Sequence, residues 1–305
     1  MNNEQTSAAA VKVLLIGGSG FLSGTMARAA LRQGHDVWAV TRGQRPVVEG
    51  VRKITADRKD RRGFAEAVAR ENVRWDLVVD CIGYSAEDAA QDVEVFSGRA
   101  SRLVFISTDF VISPIERPWK IDETYDRFND TPYGTGKRAA EEVLLKQRSL
   151  SSTVLRPGHI YGPGSLLGCI PLHGRDPQLL DRLRKREALS LVGGGHFLQA
   201  PVFAADLWEM ALSCFNNPAA TGQVYFAPGP DVVESRAFYR IIGEILGVDV
   251  TIGEVPISEY LREHPEHQSF CTHRVYCTDK AKRDGLKRPT TPLREGLRLH
   301  VNSMI

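Results

Sequence analysis

The stretch VKVLLIGGSGFLSG, Val11 to Gly24, constrains the fold more than any other part of the chain. Its apolar run, Val11–Ile16, reads as a strand covered on both faces. Four glycines then fall within eight positions, and FLSGTMARAALRQG follows with helical spacing that stops at Gly34. Strand, tight turn and helix in that order form the context in which a phosphate loop works. Glycines permit the turn, let the backbone approach a pyrophosphate, and aim free N–H groups and the helix dipole at it. Gly17 and Gly20 fit the first two roles, and Phe21 and Leu22 open the helix beside them. In a Gly-x-x-Gly-x-x-Gly frame the third place falls on Ser23, with Gly24 one residue late. That place serves helix–strand packing, where serine is the next smallest polar choice, so the slip is tolerated. Dinucleotide binding is therefore expected, with a purely structural turn as the plainer alternative.

The same alternation continues downstream. DVWAVT, VRKITAD, WDLVVDCIG and RLVFIST read as further strands, and RRGFAEAVAREN as a helix between two of them. An irregular segment reaches Asn129, a helix from about Thr131 runs through KRAAEEVLLKQ, and STVLRPG is the next strand. Repeated βαβ order predicts an α/β fold with a doubly wound parallel sheet of Rossmann type and a smaller C-terminal substrate lobe. The expected division gives 11–165 to the dinucleotide-binding domain, with 200–227 returning to it. Residues 166–199 and 228–305 form the lobe, and 1–10 a disordered tail. The basic stretch QLLDRLRKRE reads as the solvated face of a helix.

Composition limits the function classes. A formal charge of +2 gives no global attraction to nucleic acid or membrane. No apolar run approaches the roughly 20 residues that span a bilayer. The start of the chain lacks the layout of a signal peptide, and five cysteines without a CxxC pair suit a reduced, cytoplasmic protein without zinc. His264, His267 and His273 lack metal-site spacing with nearby acids and read as surface residues, so no metal is expected.

The second strand bears on the choice of dinucleotide. An NAD site usually offers a carboxylate to the ribose 2′-hydroxyl about 20 residues past the glycines. Here that point reads VTRGQR, with Arg42 and no acid. A carboxylate would repel a 2′-phosphate and an arginine grips it, so NADP is expected, with NAD as the alternative. An ordinary surface arginine is the plainer reading. Asp57 and Arg58 end the next strand, where a carboxylate could accept the adenine amino group or simply close a turn.

Taken in order, GGSGFLSG, ADRKD, VVDCIGYS, VFISTDFVIS, YGTGK, LRPGHIYGPG, AADL and VYFAPG resemble the extended short-chain dehydrogenase/reductases, the NAD-dependent epimerase/dehydratase family, over roughly Val11 to Val301. The resemblance implies hydride transfer between a nicotinamide and a hydroxyl or carbonyl carbon of a sugar or nucleotide-sugar, and dimers through a helical bundle. Tyr133 and Lys137 form its YxxxK pair one helical turn apart, with Asp130 or Thr131 as the helix cap and Pro132 in the first turn. Gly134 and Gly136 inside that helix imply close packing against it. A phenol that titrates near ~10 needs about 4 kcal/mol of help to act as a base at neutral pH. The lysine ammonium and the cationic nicotinamide would supply it. In the resemblance Tyr133 moves the proton, Lys137 holds the nicotinamide ribose, and Thr108 hydrogen-bonds the reacting oxygen. Ile82, Gly83, Pro157 and Ile160 line the cofactor.

Dehydratase members carry Thr-Asp-Glu where this chain has Thr108-Asp109-Phe110, and an aromatic ring cannot replace that glutamate's proton transfer. STDFV instead resembles the STDYV of dehydrorhamnose-type reductases. Nucleotide-sugar members have an asparagine at His159 and an arginine near Gln199, so a replacement charge is sought in Arg274. Tyr84, Asp109, His159, Gln199 and Arg274 are thus the expected substrate contacts. A rival reading comes from GGSGFLSG, TRGQRP and CIGYSAEDAA, which also resemble the chloroplast stem-loop-binding subgroup and imply a nucleotide-loaded, RNA-interacting protein without turnover.

Overall fold

The computed structural model describes residues 9–305. Of the tail expected at 1–10, residues 1–8 lie outside the described residues, while Ala9 and Ala10 are exposed. The first half of the chain runs β1 (Lys12–Ile16), α1 (Phe21–Arg32), β2 (Asp36–Thr41), β3 (Arg52–Thr55), α2 (Arg61–Arg70), β4 (Trp75–Asp80), α3 (Ala86–Phe96), β5 (Ala100–Ile106), α4 (Pro132–Lys146) and β6 (Ser152–Pro157). Then follow β7 (Ile160–Tyr161), α5 (Leu179–Arg184), β8 (Leu189–Val192), β9 (Leu198–Gln199), β10 (Val202–Phe203), α6 (Ala204–Cys214) and β11 (Gln223–Ala227). The chain ends with β12 (Val233–Glu234), α7 (Ser235–Leu246), β13 (Ile252–Val255), α8 (Ile257–Glu263), α9 (Asp279–Arg283) and α10 (Leu293–Asn302).

Seven strands form one parallel sheet in the order β11-β6-β5-β4-β1-β2-β3. Its two faces explain the unbroken apolar run of β1. Val13 and Leu15 pack into a layer with Met26 of α1 and Trp208 of α6. Leu14 and Ile16 enter the opposite layer with Phe64 of α2, Phe96 of α3 and Ala140 of α4. Alternate side chains point to opposite faces, so a strand buried on both must be apolar throughout. A third core, with Leu183, Phe238, Ile242 and Leu297, sits among α5, α7 and α10. No helix among the described residues is long and apolar enough to cross a membrane.

The crossover helix α3 is absent from the sequence expectations. Its N-cap is Ser85, whose hydroxyl accepts from the Asp88 amide at 3.3 Å, and Glu87 and Asp88 complement the helix dipole in its first turn. Strand order reverses between β1 and β4, so the loops after these two strands open a crevice at the carboxyl edge of the sheet.

Candidate active site

The first of those loops explains the displaced glycine. Ser23 donates its hydroxyl to the Gly17 carbonyl at 2.9 Å and accepts from the Gly20 amide at 3.2 Å, tying the turn to the helix. Gly24 has only the end of Arg28 near it, so nothing there demands a glycine. The residue that must be small is Gly18, where a Cβ would stand 2.1 Å from the Ala39 Cβ of β2. Gly17 turns the chain with φ of +112°, against Ile82 from the loop after β4. The helix begins at Phe21, and its first-turn amides, including that of Leu22, have no carbonyl of their own helix to bond. An anion such as a pyrophosphate suits that end.

A cleft of 390 Å³ opens over this loop, between Gly17, Gly20, Arg42, Asp57, Ile82 and Tyr84. Arg42 and Arg45 stand at its rim after β2, and no carboxylate follows that strand directly. Asp57 closes a turn, its carboxylate accepting from the Lys59 amide at 3.0 Å. Arg58 departs from the expected cofactor contact. Its guanidinium is sunk among Asp80 (2.8 Å), Asp92 (2.8 Å) and Asp88 (3.3 Å), which leaves the charged end little to offer a ligand. Burial opposes ionisation of Asp80, but Arg58, Asp92 and the Ile82 amide together lower its pKa, while burial and Asp80 together raise that of Asp92. Asp80 in turn accepts from the Ile82 and Gly83 amides at 2.8 and 2.9 Å, shaping the loop that borders the cleft. Gly83 is obligatory there, because a Cβ would meet Asp80 at 2.3 Å and Phe105 at 2.5 Å.

The catalytic candidates lie alongside. Thr131 caps α4, accepting from the Gly134 amide at 3.3 Å, with Pro132 in the first turn. The two glycines of that turn are packed closely, as expected. A Cβ at Gly136 would lie 2.6 Å from the Tyr84 carbonyl, and one at Gly134 would lie 2.9 Å from that of Phe110. Deeper in the helix, buried Glu141 accepts from Arg156 of β6 at 2.9 and 2.6 Å and from Ser107 at 2.6 Å. This node fixes α4 against the sheet edge. Ser107 in VFIST and the charged Arg156 in TVLRP are the sequence signal for it.

A second cleft, of 640 Å³, is lined by Thr108, Tyr133, Pro157, His159, Ile160 and Arg175, among others. Tyr84 and Tyr133 join the two clefts, their ring centres 6.3 Å apart. The Thr108 hydroxyl accepts from the Phe110 amide at 3.2 Å and lines the same cleft as the Tyr133 phenol. Burial raises the phenol's pKa above its ordinary value, and the neighbouring Thr108 hydroxyl only partly offsets it. The Lys137 ammonium donates to the Ile106 carbonyl at 2.8 Å and faces the rings of Tyr84 (4.8 Å) and Phe105 (4.9 Å). With its pKa raised, the Tyr133 phenol is protonated at neutral pH.

Burial also brings Lys137 itself down to about 8, against the partial support of Asp80. The unfolded lysine titrates near 10.5. The folded state therefore binds fewer protons between these values, and stability rises with pH across that window. Relative to Lys137→Met, the wild type should gain about 2 kcal/mol between pH 7 and pH 10 in urea unfolding. A difference independent of pH would show that the lysine is not desolvated.

Three expected substrate contacts are otherwise engaged. Arg274 grips Asp109 through two bonds of 2.8 Å, and Tyr276 donates to the same carboxylate at 2.8 Å. Burial pulls the guanidinium down, but Asp109 and Tyr276 together raise its pKa. The replacement charge expected from Arg274 is therefore spent inside the protein. Gln199 is buried and donates to Ser235 at 3.0 Å. His159 keeps its place in the cleft, where burial and then Arg175 and Arg274 hold its imidazole well below the ordinary range. The surface histidines also differ from expectation, because an acid is present. Glu266 lies 3.5 Å from His264 and 3.7 Å from His267.

Known proteins are similar to this chain in sequence and in fold. The model of the NAD dependent epimerase/dehydratase family matches residues 13–226. The chain is 26% identical to the 2-alkyl-3-oxoalkanoate reductase of Stenotrophomonas maltophilia, over 94% of this chain and 98% of that one. It is 25% identical to the dTDP-4-dehydrorhamnose reductase of Mycolicibacterium smegmatis over about half of each, 51% and 47%. Among solved structures, Bordetella bronchiseptica WbmG, in complex with NAD and UDP, shares the fold with a TM-score of 0.78 at 17% identity, covering 97% of this chain and 95% of that one. By the extent of the family match, the chain belongs to the NAD dependent epimerase/dehydratase family.

Proposed function

We propose that this protein is a ketone reductase or alcohol dehydrogenase that uses NADP(H) in the first cleft and acts on a sugar or a similarly small hydroxyl or carbonyl compound in the second. The observation that carries the reading is the junction itself. A protonated phenol stands with Thr108 in the second cleft, where its ring meets Tyr84 of the first. Bound nicotinamide would supply the hydride. Thr108 orients the carbonyl oxygen, and Tyr133 gives it a proton as charge develops there, a role typically worth ~10²–10⁴-fold in rate. The Lys137 ammonium lies 4.8 Å from the Tyr84 ring and would meet the nicotinamide ribose. Pro157 and Ile160 would border the carboxamide.

Reduction is favoured over dehydration and epimerisation on three grounds. Phe110 packs on Phe270 and Arg274 and offers no second acid. Gln199 has no charge for a pyrophosphate and is tied to Ser235. The two relatives named above are reductases, one acting on an oxoalkanoate and one on a sugar nucleotide. The RNA-interacting alternative is not favoured, since the YxxxK pair is kept and a charge of +2 attracts phosphate weakly. With this reading go the division at residues 165, 199 and 227, a homodimer and a cytoplasmic location.

The test is oxidation of a panel of sugars and 3-hydroxy acids, followed at the reduced nicotinamide band with NADP⁺ and NAD⁺ in turn. Turnover of none would remove the proposal. Where turnover is seen, Arg42→Ala should lower the NADP⁺/NAD⁺ ratio of kcat/KM about tenfold through loss of a charge-assisted pair. An unchanged ratio would free Arg42 from any part in cofactor choice.

A further inference from the structure

The second cleft carries at its wall an exposed cation that no carboxylate among the described residues neutralises. Arg175 lines it together with Thr108, Tyr133 and His159, and also lines an adjoining pocket of 340 Å³ with His159, Cys169 and Tyr260. Among the described residues no carboxylate lies within ion-pair distance of its guanidinium. The nearby acids are engaged elsewhere. Asp176, its neighbour in sequence, pairs with Arg182 at 3.2 Å and His173 at 3.5 Å. Asp109 is held by Arg274, and Glu266 faces His264 and His267.

The arginine is also presented by built structure. Its own φ is +58° and that of Leu172 is +78°, a region that side chains other than glycine rarely occupy. A Cβ at Gly168 would lie 1.9 Å from the His173 carbonyl and 2.4 Å from the Arg175 amide, so the segment is wound closely on itself. Tyr239 pins both sides, accepting from the Cys169 amide at 3.1 Å and donating to the His173 carbonyl at 3.2 Å. Backbone strain held by such packing, around an unpaired charge at a cleft wall, points to a ligand. The charge leaves its mark on the neighbours, since Arg175 helps to keep both His159 and His300 below their ordinary pKa.

We propose that Arg175 binds an anionic group, a carboxylate or a phosphate, carried by the same molecule whose carbonyl oxygen is placed at Thr108 and Tyr133. This rests on the carbonyl reading of the cleft given above. It narrows the substrate to a hydroxy or oxo compound with a fixed negative charge, and it assigns the specificity that Arg274 and Gln199 do not provide.

Binding read without turnover tests it. Calorimetric titration of the full chain with NADP⁺ present would compare two matched pairs: 3-hydroxybutanoate with its methyl ester, and glucose 1-phosphate with methyl glucoside. In at least one pair the anion should bind about tenfold more tightly than its neutral partner. Which pair does so tells a carboxylate from a phosphate. Arg175→Asn, which tolerates the left-handed backbone, should abolish the preference, and Arg175→Lys should restore part of it. No preference in either pair, including no binding at all, overturns the proposal. So does a preference that survives Arg175→Asn. Because no hydride moves in this measurement, an anion preference kept by a protein that oxidises nothing would sink the catalytic reading alone.

Discussion

Replacing Tyr133 by phenylalanine should lower turnover by ~10²–10⁴-fold while leaving the dissociation constant of NADP(H) within about threefold. The substitution removes one hydroxyl and keeps the ring that packs against Tyr84 and Phe110. The phosphate end of the dinucleotide lies over Gly17–Leu22 in this account, in the other cleft, so binding should survive. What disappears is the proton donor. The loss should appear in kcat and kcat/KM alike, because the proton is needed only as charge develops on the oxygen. Cofactor affinity lost together with turnover would mean that the phenol's role is structural. Unchanged turnover would remove it from the chemistry.

The second large effect should come from Arg274→Met, at about 3–5 kcal/mol of stability in urea unfolding. This arginine joins a segment near the C-terminus to the turn after β5, and its partner Asp109 is 165 residues away in sequence. Both side chains are buried. Removing the guanidinium leaves a carboxylate inside the protein with only the Tyr276 hydroxyl to satisfy it. Breaking such a pair costs far more than replacing it whole, since the uncompensated charge bears the desolvation penalty. Asp109→Asn combined with Arg274→Met should therefore recover much of the loss. A single substitution costing less than about 1 kcal/mol would show the pair to be wetter than its geometry implies.

Sequence reasoning was strongest where chemistry is local. The apolar run of β1, the glycines after it and the Thr131-Pro132 start of α4 are each encoded within a few residues, by burial on two faces, φ freedom and capping. Seven parallel strands with a reversal beside the glycine loop followed from repeating that logic. It was weakest where partners are distant. Nothing near Arg274 reveals that Asp109 consumes its charge, and nothing near Arg58 reveals three aspartates from the end of β4 and from α3. Arg175 was passed over because a single arginine in a loop has no pattern, and only the cleft shows that it lacks a partner. The short strands β7, β9 and β10 carry too few residues to show a period of two.

The most direct measurement follows the hydride. NADPH deuterated at C4 of the nicotinamide, on each face in turn, would be offered with ketosugars and 3-oxo acids, and the products weighed by mass spectrometry. The account predicts an alcohol that carries deuterium on the former carbonyl carbon from one face only, at a rate cut ~10²–10⁴-fold in Tyr133→Phe. NADPH that binds tightly yet passes deuterium to none of these ketones would contradict it.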